Sequence, residues 1–233
     1  MPHKWLFFDC METLVDFDPI PGPADYAAWA FNGSGVEEFW SGLNQFHSFY
    51  LEASHHLSKS NENYAEWSML ERFRSICNIT LRIAPHQIES VARQLELNFF
   101  QTYRSKCFVH DDVKKVLPEL SKHYRLGVVS NFKIENGIRE ILTQFELIDY
   151  FEWILTSFEV GWRKPNQIIY NNALKLAGVK PEEVLFIGDD MENDVEASKK
   201  MGMNAILLDR NSSLHNSKEF TKISSFLELQ TII

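Results

Sequence analysis

The chain is poor in the features that mark disulfide-stabilised, membrane-spanning and nucleic-acid-binding proteins. Its 233 residues include only three cysteines, Cys10, Cys77 and Cys107, and their spacing matches neither a disulfide framework nor a zinc site. The formal net charge is −9, and without a basic stripe we expect no nucleic-acid partner. No apolar run reaches membrane-spanning length and no charged-then-apolar leader opens the sequence, so we expect a soluble, cytoplasmic protein with no membrane partner.

Short apolar runs that end in acidic or small polar residues are what the sequence does contain. Runs this short and this apolar are typical of strands that are covered on both faces of a parallel sheet. The polar residues then fall at the carboxyl ends of the strands, where open α/β sheets bind their ligands. The runs are 5–8 before Asp9, 126–129 before Ser130 and Asn131, and 184–187 before Gly188, Asp189 and Asp190.

The pattern of apolar residues divides the chain into two kinds of sequence. Residues 15–23 are rich in Pro and Gly and indicate a linker. Apolar residues then recur at helical spacing as far as about residue 107, which predicts an all-α insert. Its three predicted helices begin near Ser34, run from about 64 to 77, and follow Pro85.

From Asp111 onward, helical and strand patterns alternate, which predicts right-handed crossovers and a doubly wound parallel sheet. We therefore predict an α/β core of residues 1–16 and 109–233 with an all-α helical domain of residues 17–108. The tail, residues 211–233, is predicted as a loop and a closing helix. Predicted helices are 111–123, 134–145, 166–177 and 193–201, and predicted strands are 125–130, 151–156, 184–187 and 204–208.

Four acidic residues should meet at one edge of this sheet: Asp9, Asp189, Asp190 and Asp194. Packed carboxylates repel one another and raise at least one pKa unless a cation neutralises them. Mg²⁺ suits a site of oxygen ligands that water and a phosphate complete. Helix capping is the alternative for Asp194 and its neighbour Asn193.

The ordered motifs of the chain resemble those of the haloacid dehalogenase-like hydrolase superfamily. They are Asp9 with Thr13, Ser130 after the second strand, Lys164 before a proline, and Gly188-Asp189-Asp190 with Asp194. The resemblance covers about the first sixteen residues and most of the chain from Asp111. It implies a Rossmann-like core with a helical cap domain after the first motif. It also implies a Mg²⁺ site formed by the acidic residues Asp9, Asp189, Asp190 and Asp194 and the backbone carbonyl of Met11.

The resemblance further implies a phosphoryl-transfer reaction on a small phosphorylated metabolite, in a monomer or homodimer. Asp9 would attack phosphorus, and water would hydrolyse the aspartyl-phosphate. Ser130, Asn131 and Lys164 would hold and neutralise the phosphate oxygens. Thr13 would steady Asp9 through its hydroxyl, with a turn-forming role as the alternative.

One position departs from the motif, because its second Asp is Met11 here. In phosphatases of the superfamily that residue protonates the leaving alkoxide, and a positioned acid/base contributes about 10²–10⁴-fold. A thioether transfers no proton at neutral pH. Three alternatives follow: a leaving group that needs little help, as in acyl or aryl phosphates; Glu12 as a substitute; or a site that binds a phosphorylated ligand without turnover.

Two other kinds of hydrolase in the superfamily also lack this acid. Haloacid dehalogenases need no metal, and the presence of Gly188-Asp189-Asp190 argues against dehalogenation. Phosphonate-cleaving enzymes keep Mg²⁺ and use a cap lysine to form a Schiff base; Lys59 is the candidate here, although a lone lysine is usually solvated. A Mg²⁺-dependent phosphohydrolase is therefore the leading prediction.

Overall fold

The computed structural model of the chain describes residues 3–60, 62–210 and 220–233. The chain forms two compact units. The α/β unit consists of Met1–Asp16 and Phe108–Ile233, and the helical unit consists of Phe17–Cys107.

The described residues of the helical unit form four α-helices. Ser68 begins the third with a capping box, because its hydroxyl accepts from the backbone N–H of Glu71 and the Glu71 carboxylate accepts from the backbone N–H of Ser68. Apolar side chains on one face of each helix, such as Phe46, Phe73 and Phe99, are fully buried within this unit. The helices are α1 (Pro23–Phe31), α2 (Leu43–Ser60), α3 (Met69–Ile79) and α4 (Ile88–Lys106).

Two predicted helix starts in this unit are wrong. The helix expected from Ser34 begins only at Leu43, because Gly42 has a φ of 146°, which no right-handed helix accommodates. The helix expected from about residue 64 begins at Met69, after Tyr64 takes a φ of 65°. The helix after Pro85 is confirmed as α4.

A six-stranded, all-parallel sheet lies at the centre of the α/β unit. The strand order is β3-β2-β1-β4-β5-β6, which confirms the predicted doubly wound sheet. The direction in which strands are added reverses between β1 and β4, and ligands bind outside the strand ends at such a point. The strands are β1 (Trp5–Phe8), β2 (Arg125–Ser130), β3 (Trp153–Thr156), β4 (Val184–Gly188), β5 (Asn204–Leu208) and β6 (Thr221–Ile223).

Strand β1 is buried on both faces, which explains why its sequence is continuously apolar. Phe7 packs edge-on against Trp153 with ring centroids 4.8 Å apart. The next side chain, Phe8, points to the other face and stacks on Phe226 at 5.9 Å. Full burial of such a side chain contributes about 1.5–3 kcal/mol, so both faces of the sheet fix the strand that precedes Asp9.

Helices connect the strands largely as predicted, with two short elements missed. Strand β6 and the short helix Ser157–Val160 were not predicted. The tail, residues 211–233, was expected to be a loop and a closing helix: residues 211–219 lie outside the described residues, and a closing helix is present at Leu229–Ile232. The helices are α5 (Asp111–Leu120), α6 (Gly137–Gln144), α7 (Ser157–Val160), α8 (Gln167–Ala177), α9 (Ala197–Lys200) and α10 (Leu229–Ile232), with a π-helical turn at Met191–Glu196.

Candidate active site

The carboxyl ends of β1 and β4 place two acidic residues side by side. These strands are neighbours in register, with Phe8 opposite Ile187. The backbone N–H of Asp9 donates to the carbonyl of Ile187 at 2.9 Å, so the strand pairing continues to the acid itself. Asp189 follows Gly188, the last residue of β4. The sheet therefore fixes the backbone of both residues.

Asp9, Asp189 and Asp194 form a cluster of three carboxylates. Each contributes an oxygen atom, and these three atoms lie within 4.8 Å of one another. Burial, together with the negative charges of Asp9, Asp194 and Glu12, raises the pKa of Asp189 to about 8. Burial also raises the pKa of Asp194 to about 6, against the opposing attraction of Lys164. The raised pKa values indicate that the negative charge of the cluster is not fully neutralised by nearby positive charge.

Lys164 is the cation within this cluster. Its Nζ atom donates to Oδ1 of Asp9 at 2.7 Å and to Oδ1 of Asp194 at 2.6 Å, and it lies 5.3 Å from the ring centroid of Phe186. Burial alone would lower the pKa of Lys164, but the charges of Asp194 and Asp9 outweigh it and raise that pKa above its usual range. Lys164 stays charged, yet one ammonium cannot balance three carboxylates.

Asn131 binds both the backbone N–H and the backbone carbonyl of Lys164. Its Oδ1 accepts from the backbone N–H of Lys164 at 2.7 Å, and its Nδ2 donates to the carbonyl of Lys164 at 3.1 Å. Both ends of the Asn131 amide are therefore engaged with the chain, and the predicted contact of Asn131 with phosphate stays a prediction. Ser130, the last residue of β2, is buried beside the cluster.

Thr13 contacts a different carboxylate from the one expected. Its hydroxyl donates to Oδ1 of Asp189 at 3.1 Å, whereas sequence analysis assigned this hydroxyl to Asp9. The turn after β1 explains the difference: the backbone N–H groups of Leu14 and Val15 both donate to the carbonyl of Cys10. This tight turn brings Thr13 toward the end of the neighbouring strand β4.

The structure does not bring Asp190 into the three-carboxylate cluster. Its two carboxylate oxygens accept from the backbone N–H and the side-chain Nδ2 of Asn193, both at 2.9 Å. Asp190 is exposed and caps the π-helical turn that follows. The predicted capping role therefore belongs to Asp190, and Asp194 is the buried acid.

Gly188 leaves the space that Asp194 occupies. A Cβ atom at position 188 would lie 2.2 Å from Oδ2 of Asp194, well inside any van der Waals contact. Oδ2 of Asp194 in turn accepts from the backbone N–H of Asp190 at 3.1 Å. The glycine of the motif is thus required for the buried position of Asp194, a contact that the sequence pattern did not reveal.

Met11 and Glu12 border the same cavity, which has a volume of about 170 Å³. Both side chains are half-buried, and Glu12 has a left-handed backbone with a φ of 62°. Burial, followed by the charges of Asp16, Asp9 and Asp190, raises the pKa of Glu12. The cavity is lined by Asp9, Met11, Glu12, Ser130, Asn131, Lys164, Asp189, Asp190, Asn193 and Asp194.

Lys59 lies in the other unit, near the end of α2, where its side chain is exposed. It borders a groove within the helical unit together with His55, His56 and Arg74. None of the helices within residues 3–60, 62–210 and 220–233 combines the length and the hydrophobicity of a membrane span.

The comparison with known proteins identifies the family. A family model for haloacid dehalogenase-like hydrolases matches residues 48–208. The chain therefore belongs to the haloacid dehalogenase-like hydrolase family, as its motifs predicted.

The proteins to which the chain is similar include two phosphatases and one solved structure. It is 34% identical over 124 residues to the glyceraldehyde 3-phosphate phosphatase of Methanothermobacter thermautotrophicus, covering 48% of this chain and 53% of that protein. The chain thus spans about half the length of this relative. It is 27% identical over 207 residues to the Escherichia coli 5-amino-6-(5-phospho-D-ribitylamino)uracil phosphatase YigB, covering 86% and 81%. A 2-haloacid dehalogenase from Pseudomonas syringae superposes with a TM-score of 0.80 at 19% identity, over 99% of this chain and 97% of that one, and so shares the fold.

Proposed function

We propose that the chain is a Mg²⁺-dependent phosphohydrolase that acts on a small phosphorylated metabolite, with Asp9 as nucleophile. One observation carries the proposal: three carboxylates, Asp9, Asp189 and Asp194, offer oxygen atoms within 4.8 Å of one another beside one buried ammonium. The names of the two related phosphatases support the same class of substrate.

The chemistry of the cluster fits Mg²⁺. All of its donors are oxygen atoms, which Mg²⁺ prefers, and Mg²⁺ completes its octahedron with water and substrate phosphate. Asp9, Asp189, Asp194 and the backbone carbonyl of Met11 would hold the metal. Bound Mg²⁺ would neutralise charge on the phosphate and orient it for in-line attack.

The side chains around the cavity have separate proposed roles in the reaction. One carboxylate oxygen of Asp9 accepts from Lys164, and the other is the proposed nucleophile. It forms a bond to phosphorus while the bond to the leaving oxygen breaks and the leaving group takes the electron pair. Water then attacks the phosphorus of the aspartyl-phosphate, which releases phosphate and restores Asp9. Ser130 and Lys164 hold the phosphate oxygens, and Asn131 positions the Lys164 backbone.

Met11 determines which leaving groups can depart. Its thioether borders the cavity and supplies no proton, and the raised pKa of Lys164 makes that ammonium a poor proton donor. Acyl and aryl phosphates, whose leaving groups depart as stable anions, are therefore the proposed substrate types. Glu12 borders the same cavity and is the one competing proton donor that we retain.

The cluster disfavours dehalogenation. Displacement of halide by Asp9 requires no divalent cation, so a dehalogenase would gain nothing from two further carboxylates beside it, one of them buried. The raised pKa values of Asp189 and Asp194 show that burying them together has an energetic cost, and a cation offsets that cost.

A substrate panel tests the proposal. Acetyl phosphate, p-nitrophenyl phosphate and alkyl phosphates are assayed with and without Mg²⁺, using the wild type, Asp9→Asn and the exposed control Asp111→Asn. We expect Mg²⁺-dependent phosphate release that Asp9→Asn abolishes and Asp111→Asn retains. Absence of turnover with intact binding of a phosphate analogue would instead identify a phospho-ligand-binding protein.

A further inference from the structure

Tyr170 connects the two loops that carry the charges of the candidate site. It lies in α8, six residues after Lys164, and its side chain is fully buried. Its hydroxyl donates to the backbone carbonyl of Asn193, the residue before Asp194. Helix α8 is thus tied at its first turns to the acidic turn that follows β4.

The acidic turn is an unusual piece of backbone. Residues Met191–Glu196 form a π-helical turn in which the N–H of Ala197 donates to the carbonyl of Glu192. Such turns are rare and poorly stabilised by themselves, and they frequently occur at functional sites. The turn carries Asp194, so outside contacts must hold that carboxylate in place.

Two buried hydroxyl groups supply such contacts from different elements. Tyr170 binds the carbonyl of Asn193, and Ser198 binds the carbonyl of Asp194. The ring of Tyr170 also packs edge-on against Phe186 of β4, with centroids 6.1 Å apart. Lys164 lies over that same Phe186 ring. One rigid strand residue therefore sets the positions of both the phenol and the ammonium.

We propose that Tyr170 is a positioning residue: by holding the π-helical turn, it keeps Asp194 at the distance from Lys164 and Asp9 that divalent-cation binding requires. This inference rests on the proposed function. Tyr170 itself acts through the backbone of Asn193 and does not reach the reacting atoms. No sequence signal pointed to it, because a Tyr on the apolar face of a helix has the pattern of an ordinary core residue.

The test is the affinity of the full-length protein for Mg²⁺, measured by calorimetry without substrate. Tyr170→Phe keeps the ring and removes only the hydroxyl. We expect the Kd for Mg²⁺ to rise about 10-fold, the lower end of the effect known for groups that orient metal ligands. At subsaturating Mg²⁺, turnover of p-nitrophenyl phosphate should fall, and saturating Mg²⁺ should restore it, while the KM for p-nitrophenyl phosphate changes little.

The matched control is Tyr50→Phe in the helical unit. Tyr50 is also buried and its hydroxyl is also hydrogen-bonded, to Arg72, so this variant should lower Tm without changing the Kd for Mg²⁺. If Tyr170→Phe does not fold, Ser198→Ala removes the second hydroxyl contact and should raise the Kd in the same direction.

The outcomes separate this inference from the proposed function. Wild-type affinity in Tyr170→Phe, or an equal rise in Kd in Tyr50→Phe, overturns the positioning role while the proposed function stands. A wild-type protein that binds no Mg²⁺ overturns the proposed function and the inference together.

Discussion

Nζ of Lys164 lies 2.6 Å from Oδ1 of Asp194, and the two side chains are only 2% and 1% exposed. A pair buried to this degree has lost its hydration, so each member depends on the other for compensation. The pair sits beside Asp9 and therefore couples the stability of the α/β unit to the charge of the candidate site. Removing either member of the pair should therefore lower the stability of the protein as well as its activity.

Lys164→Met should destabilise the protein by about 3–5 kcal/mol at neutral pH, because it leaves buried carboxylates without their ammonium. The raised pKa of Asp194 sets the sign of the pH dependence. A carboxyl group that is harder to ionise in the folded state costs stability as the pH rises above its unfolded pKa, so the variant should be more stable near pH 5 than near pH 8.

Urea unfolding of Lys164→Met at several pH values measures this effect. The control is Lys122→Met, which removes an exposed lysine paired with Glu119 at 2.7 Å and should cost at most about 1 kcal/mol. Equal losses in the two variants would show that the buried pair has no special role.

Gly188→Ala should lower both stability and affinity for Mg²⁺. The added Cβ would lie 2.2 Å from Oδ2 of Asp194, so the carboxylate must move out of its position. Overpacking of this kind typically costs about 1–3 kcal/mol. Thermal unfolding and Mg²⁺ calorimetry on the same sample measure the two effects.

Gly127→Ala is the matched control for that substitution. Its Cβ would lie 2.3 Å from the ring of Trp153, an equally severe clash in the neighbouring part of the sheet. It should lower Tm while the Kd for Mg²⁺ stays unchanged. An unchanged Kd in Gly188→Ala would contradict the role given to the Asp194 carboxylate.

Met11→Asp should increase alkyl-phosphate hydrolysis far more than acetyl-phosphate hydrolysis. A positioned acid contributes about 10²–10⁴-fold where the leaving group needs a proton, and acetate needs none. The ratio of the two kcat/KM values is the measurement. Unchanged alkyl-phosphate hydrolysis would show that our account of position 11 is wrong.

Glu12→Gln tests whether Glu12 donates a proton to the leaving group. If Met11 leaves the site without an acid, Glu12→Gln should keep the wild-type ratio of alkyl- to acetyl-phosphate hydrolysis. A selective loss of alkyl-phosphate hydrolysis in this variant would assign the proton transfer to Glu12.

Asp112 should make the protein acid-sensitive. Burial by itself would raise its pKa, but hydrogen bonds from Arg210, Ser225 and the backbone of Phe226 outweigh burial and lower that pKa below its usual value. The stabilisation is complete above the unfolded pKa of about 4. It is lost as the pH falls through the lower, folded pKa.

Asp112→Asn should therefore reduce the free energy of unfolding at pH 7 and flatten its decline below about pH 4. Urea unfolding of the variant and the wild type across this range gives the difference curve. Asp111→Asn, an exposed neighbour, should follow the wild-type curve, and parallel curves for Asp112→Asn would contradict the assignment.

The sequence predicted the strands well, because each has a strong local signal. The bounds of β2 and β5 agree with the prediction at both ends, since apolar residues lie between clear polar boundaries. Strand β6 was missed because its three residues, Thr221–Ile223, carry too short a pattern. Its place in the sheet depends on pairing with β5, a tertiary contact.

The sequence predicted which residues lie near the site, but it did not predict which of their side chains contact one another. Residue order along the strands indicated that Asp9 and Asp189 would be neighbours. Nothing in the order indicated that Thr13 contacts Asp189, or that Asp190 caps a π-helical turn while Asp194 turns inward. These choices depend on side-chain directions in turns, which the sequence pattern does not encode.

If Asp9 accepts the phosphoryl group, the aspartyl-phosphate can be trapped chemically during turnover. The protein is mixed with acetyl phosphate and Mg²⁺, quenched, and reduced with borohydride, which converts an aspartyl-phosphate to homoserine. Mass spectrometry of the peptide that contains Asp9 should show this conversion at Asp9, dependent on Mg²⁺. Turnover of acetyl phosphate with an unmodified Asp9, or conversion at another acidic residue, would contradict the account.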